Sequence, residues 1–138
     1  MAVDIDLVYQ GELRCAATHR PSGSAIATDA PLDNGGRGTT FSPTDLVAAA
    51  LGACVMTIMG LVAGRHGWNL AGSQIHVAKE MVDKPLRRIG ALRTTVAVRS
   101  AVPLAPADRQ RLENAARHCP VHQSLHPDIA APIDFAYL

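Results

Sequence analysis

Residues 42–67 read SPTDLVAAALGACVMTIMGLVAGRHG, and the fold turns on this stretch. Ser42 is a good N-cap and Pro43 suits a first helical position. Asp45 stands three residues after the cap, where a carboxylate can return a hydrogen bond to the cap's own N–H. At the other end Arg65 and His66 suit the negative pole of a helix, and Gly67 can terminate it. The pattern predicts a helix from Ser42 to about His66. From Leu46 to Ala63 the run carries no charge, which is long enough to raise a membrane-spanning reading. Its richness in Ala and Gly, and the amphipathic strands expected on either side, argue against that reading. An all-round apolar helix also fits burial by a sheet on one side and by a partner surface on the other.

Working outward, Val3, Ile5 and Leu7 alternate with Asp4 and Asp6, which predicts a half-buried strand over 3–9. Gly11 turns the chain into a returning strand over 12–18. Pro21-Ser22-Gly23 turns it again into a short strand over 24–28. Residues 29–41 carry Gly35, Gly36 and Gly38 and read as a loop; the glycine spacing is not that of a phosphate-binding loop. Beyond the helix, strands are expected over 74–82 and 88–100. In the second, Leu92, Thr94, Val96 and Val98 share one face. An exposed helix follows over 105–117, then a short helix opened by Cys119-Pro120 and ending at His126-Pro127. A strand carrying Ile133, Phe135 and Tyr137 closes the chain. The order β-β-β-α-β-β-α-α-β is an α+β class with antiparallel pairing, in one domain over residues 1–138.

Composition narrows the function. In 138 residues, Lys+Arg number 13 against 12 Asp+Glu, a net charge of +1, and aromatics are 4%. Neither a basic footprint nor a base-stacking surface is present, so nucleic acid and anionic membrane are poor partners. Cysteines stand at 15, 54 and 119, an odd and small set that is no secreted disulfide framework. Met-Ala-Val-Asp-Ile-Asp has no signal-peptide character, so a cytoplasmic, reducing location is expected.

Cys54, mid-helix, is either a small buried hydrophobe or a nucleophile. Cys119 is either a cysteine before a turn or a thiol acidified at a helix start. His118, Cys119, His122 and His126 have metal-like spacing, but no further ligand completes a zinc site, and solvated histidines at helix ends explain them. No cofactor or metal is expected.

The runs Phe41-Ser-Pro-Thr-Asp-Leu-Val-Ala-Ala-Ala-Leu-Gly-Ala-Cys54 and His118-Cys-Pro-Val-His-Gln-Ser-Leu125 together resemble the OsmC/Ohr family of osmotically inducible and organic hydroperoxide resistance proteins. The resemblance covers nearly the whole chain, and the wording is that of an OsmC-like branch. It implies an OsmC-like fold: sheets packed on a long central Cys-bearing helix, within an intertwined homodimer. It also implies a thiol-dependent peroxidase in which Cys54 is the peroxidatic and Cys119 the resolving cysteine. An organic hydroperoxide would be the substrate and an external thiol or dithiol the reductant. Val55, Met56, Ile58 and Met59 would offer an apolar lining, or serve as ordinary core.

Peroxidase members use an arginine of the N-terminal meander to stabilise the thiolate, and a glutamate ten residues before the cysteine to hold that arginine. Here Thr44 occupies the glutamate position. Arg20 matches the arginine loosely, Arg14 and Arg37 compete with it, and Asp45 is the nearest carboxylate. An ideal helix puts Asp45 roughly opposite Cys54, which suits a capping box better than an arginine clamp. A different function therefore stands beside the peroxidase: an OsmC-like protein that binds a small apolar or thiol-containing ligand at the dimer interface.

Overall fold

The computed structural model describes residues 1–138 throughout. Two compact units emerge, Met1–Val47 and Ala48–Leu138. In the first, β1 (Ile5–Gly11), β2 (Arg14–His19) and β3 (Ala25–Asp29) form an antiparallel sheet in the order β1-β2-β3. The β1–β2 turn is tight enough that Gly11, Glu12 and Leu13 all take positive φ. The Tyr9 hydroxyl accepts the Leu13 N–H at 3.2 Å and braces it. Ile5, Leu7 and Tyr9 lie on one face, opposite His19, Ala17 and Cys15. The half-buried strand expected here is in fact exposed: Leu7 and Tyr9 are each 63% accessible, because the first unit has no layer of its own to cover that face.

The segment after β3 includes a short 3-10 turn over Leu32–Asn34, unforeseen in the sequence. It folds back so tightly at Gly36 that a Cβ would lie 1.8 Å from the Ala30 carbonyl oxygen. The helix α1 (Pro43–Arg65) then begins as its sequence dictates. Asp45 N–H donates to Ser42 Oγ at 3.1 Å, and Ser42 N–H donates to Asp45 Oδ2 at 2.9 Å, a reciprocal capping box.

Within the second unit α1 buries Ala48, Leu51, Gly52, Val55, Met59 and Ala63. That spacing is one helical face. By length and composition α1 could cross a membrane; a single buried stripe is equally the mark of a soluble core helix. At Gly52 it approaches the sheet closely, since a Cβ there would sit 3.1 Å from Val77 and 3.3 Å from Ile75. Strands β4 (Gln74–Val82) and β5 (Arg88–Val98) pair antiparallel. Leu92, Thr94, Val96 and Val98 are buried and Arg93 and Thr95 exposed, the alternation the sequence predicts.

The helices α2 (Pro106–Arg117) and α3 (Pro120–Ser124) follow, and β6 (Ile133–Tyr137) joins the far side of β5. Here the expected antiparallel pairing is wrong, because β6 runs parallel to β5. The physical reason lies in the connection. A chain of two helices is long enough to carry a strand back to its starting end, where a hairpin could not. The fold is thus a mixed α+β arrangement of two sheets and helices.

Candidate active site

Two of the predicted site residues come together. Cys54, on α1, is partly accessible, and Cys119, at the N-cap of α3, is fully buried. Cys54 neighbours Cys119 closely enough to affect the ionisation of its thiol. Burial is the main cause that pushes the Cys119 thiol up, and the neighbouring Cys54 sulfur adds to it by hydrogen bonding and like charge. The larger opposing influence is the His122 backbone N–H, which donates to Cys119 Sγ at 3.4 Å, and the Val121 N–H adds a smaller one. Cys119 is therefore no exposed cysteine before a turn. The sequence places it at a helix start, and Pro120 at the first helical position fixes it there.

The chemistry this allows is asymmetric. Cys54 is partly open to solvent, where a solute can approach it, whereas Cys119 beside it is closed to solvent. Cys15 belongs to the first unit, where it pairs with Tyr9 on β1 and Thr28 on β3.

The other two predicted residues are engaged locally. Arg20 gives its Nε to Asp6 Oδ2 at 2.6 Å and its Nη2 to Asp6 Oδ1 at 3.1 Å, with Asp4 at 3.9 Å. Asp45 spends one carboxylate oxygen on the helix cap. Of the competing arginines, Arg37 pairs with Glu12 at 3.4 Å. Arg14 has a buried Nε with no hydrogen-bond partner and lies opposite Asp29 in the strand register.

Of the four expected lining residues, Val55 and Met59 are fully buried core, which leaves Met56 and Ile58 half-buried. The histidines that suggest a metal do not gather. His118 Nδ1 bonds the Asn114 carbonyl, His126 Nδ1 accepts the Asp128 N–H, and His122 Nε2 bonds the Ala131 carbonyl.

Sequence reasoning missed two polar nodes. One is the His122 ring, which in the sequence has the spacing of a metal ligand and reads as a solvated histidine at a helix end, whereas it bonds the Ala131 carbonyl. The other is Asp29, buried at the end of β3. Its carboxylate is held below the usual range first by the Thr39 hydroxyl at 2.6 Å, then by the Thr39 N–H at 3.0 Å, with Arg14 contributing charge. Nothing in the residues around Asp29 signals that role, since Thr39 lies ten positions on across a glycine-rich loop.

Comparison with known proteins settles the ancestry. The profile of the OsmC-like protein family matches residues 36–133, a span that includes both Cys54 and Cys119. The chain belongs to the OsmC-like family. A crystal structure from Psychrobacter arcticus 273-4, described as an osmotic stress induced and detoxification response protein, shares 37% identity with it. That match covers 96% of this chain and 94% of the other, with a TM-score of 0.88. An OsmC like protein from Mycoplasma pneumoniae has a TM-score of 0.82 at 15% identity, covering 100% and 98%. The organic hydroperoxide resistance protein OhrB of Bacillus subtilis has a TM-score of 0.67 at 18% identity, covering 99% and 98%. The last two share the OsmC-like fold at identities too low to speak for activity. No curated protein matches the sequence.

Proposed function

We propose that this OsmC-like protein is a thiol-dependent peroxidase for organic hydroperoxides, with Cys54 as the attacking and Cys119 as the resolving sulfur. The observation that carries the reading is the placing of two cysteines of unequal exposure as neighbours, Cys54 on α1 and Cys119 at the start of α3. The Cys54 thiolate attacks the distal oxygen of the hydroperoxide. A sulfur–oxygen bond forms, the O–O bond breaks, and the alkoxide leaves as the alcohol after taking a proton. Cys54 is now a sulfenic acid, oxidised by two electrons. Cys119, deprotonated, attacks that sulfur. The S–S bond forms, and hydroxide leaves as water. An external dithiol returns the two electrons by thiol–disulfide exchange. Burial of Cys119 supports its role, since it is reached by the Cys54 sulfur and not by bulk oxidant.

α1 carries no cation between Leu46 and Gly64, so a positive charge to support a nucleophilic sulfur at Cys54 has to come from another element. In this proposal Arg20 supplies it, with Asp45 as orienter and Arg14 and Arg37 as competitors. Slower alkylation of Cys54 near pH 7 in Arg20→Ala supports that assignment. Alkylation indifferent to all three arginines refutes activation by any of them.

The working form in this proposal is a cytoplasmic intertwined homodimer with α1 at its centre. Each unit exposes apolar surface suited to a second copy. In the first, Ile5, Leu7, Tyr9 and Ile26 are exposed. On α1 the outer positions Ala49, Ala53, Gly60 and Gly64 are small and exposed, which permits close backbone approach, and Leu61 beside them is 54% accessible.

The deciding assay follows consumption of tert-butyl hydroperoxide against hydrogen peroxide with dithiothreitol as reductant. The organic substrate should be consumed faster, and Cys54→Ser should abolish turnover. Consumption of neither would favour the second reading, a binder of a small apolar or thiol-containing ligand. That reading draws on the engagement of Arg20 with Asp6 and on Thr44 at the family's glutamate position.

A further inference from the structure

We infer that His122 is a positioning residue for Cys119, holding the resolving sulfur in place for its attack on oxidised Cys54; the inference rests on the peroxidase reading. The helix α3 is five residues long. So short a helix has little stability of its own, and its first turn must be held from outside. His122 supplies two of the holds. Its backbone N–H donates to Cys119 Sγ at 3.4 Å, which fixes the rotamer of the cysteine. Its ring bonds the Ala131 carbonyl at 3.0 Å. A carbonyl only accepts, so Nε2 carries the proton in that bond.

The far end of this tie is firmly set. Ala130 N–H donates to Gly90 O at 3.0 Å, Leu92 N–H to Ala130 O at 2.8 Å, and Thr94 N–H to Pro132 O at 3.0 Å. Ala131 thus sits in a segment laced on both sides to β5. The other polar side chains of α3 do not reach it. Ser124 Oγ bonds Pro120 O within the helix, and Gln123 Nε2 reaches back to Arg117 O at 3.5 Å. The imidazole is therefore the side-chain link that transmits the fixed geometry of the sheet to the turn bearing Cys119. Cys54 is placed independently, by the buried face of α1. Without the tie, the first turn of α3 can drift while Cys54 stays where it is, and the encounter between the two sulfurs becomes rarer.

The test uses full-length protein, fully reduced, given one equivalent of tert-butyl hydroperoxide with dimedone as the trap for sulfenic acid. The wild type should close to the Cys54–Cys119 disulfide with little adduct, and Cys119→Ser should accumulate adduct on Cys54. His122→Ala should form its sulfenic acid at the wild-type rate but close the disulfide several-fold to about tenfold more slowly, the worth of one hydrogen bond, with a matching rise in adduct. His122→Gln, which can still donate to the Ala131 carbonyl, should restore closure, and His122→Asn, too short to reach, should not. The Gln–Asn contrast carries the test if the Ala variant fails to fold. Closure by His122→Ala at the wild-type rate, or equal slowing in Gln and Asn, would overturn the inference. Absence of any Cys54 adduct in Cys119→Ser would instead overturn the peroxidase reading itself.

Discussion

The two three-stranded sheets carry the same period of two and reach opposite states. In β5 the apolar row Leu92, Val96 and Val98 is sealed, each residue at most 1% accessible. In β1 the row Ile5, Leu7 and Tyr9 is more than half exposed. Alternation tells which residues share a face, and it does so correctly in both strands. It does not tell what lies on that face. The second unit supplies its own cover from within, with buried residues on α1 and α2 such as Leu51, Met59 and Leu112. The first supplies none, so its apolar row is either a cost borne in water or one half of an interface. The proposed homodimer takes the second alternative.

Truncation separates the two sheets most sharply. Leu92→Ala removes a fully buried side chain and should destabilise the fold by about 2–5 kcal/mol. Denaturant midpoints should show that loss at every protein concentration. Leu7→Ala should leave the unfolding of the isolated chain within about 0.5 kcal/mol, as surface changes do. Its effect belongs in the dimer: loss of a buried leucine from an interface should weaken association roughly ten- to a hundredfold. Sedimentation across a dilution series reads this directly. A wild-type chain that stays monomeric at micromolar concentration would break the comparison, leaving the β1 row exposed without reason.

The smallest effect concerns the one buried carboxylate of the first unit. Asp29 is held below the ordinary carboxylate value by the Thr39 hydroxyl and N–H. A depressed folded value means a contribution that is complete above about pH 3.9 and is lost as pH falls through the folded value. Asp29→Asn should therefore lose stability near neutral pH and show a flatter decline between pH 4 and 2. Parallel wild-type and variant curves in urea midpoints over that range would contradict the role given to Asp29.

Much of this architecture is legible in the residues. The cap at Ser42, the strand over 74–82 and the buried row of β5 follow from side-chain chemistry at short range, and the structure repeats them. The parallel placement of β6 does not, because strand direction is set by the long connection and leaves no mark on Ile133, Phe135 or Tyr137. At the site, each cysteine alone reads as ordinary; only the paired motifs and their family wording single out Cys54 and Cys119. That they are neighbours depends on how α1 and α3 pack, which no local pattern encodes. His122 reads in the sequence as a solvated histidine at a helix end, since the partner of its ring is a backbone carbonyl nine positions away.

The central claim is that Cys54 and Cys119 form one redox pair. Peptide mapping under non-reducing conditions tests it most directly, after reduced protein has met one equivalent of an organic hydroperoxide and the remaining thiols have been alkylated. The account predicts a Cys54–Cys119 bridge within each chain, with Cys15 recovered as its alkylated thiol. A dominant crosslink through Cys15, or oxidation of Cys54 with Cys119 still free, would contradict it.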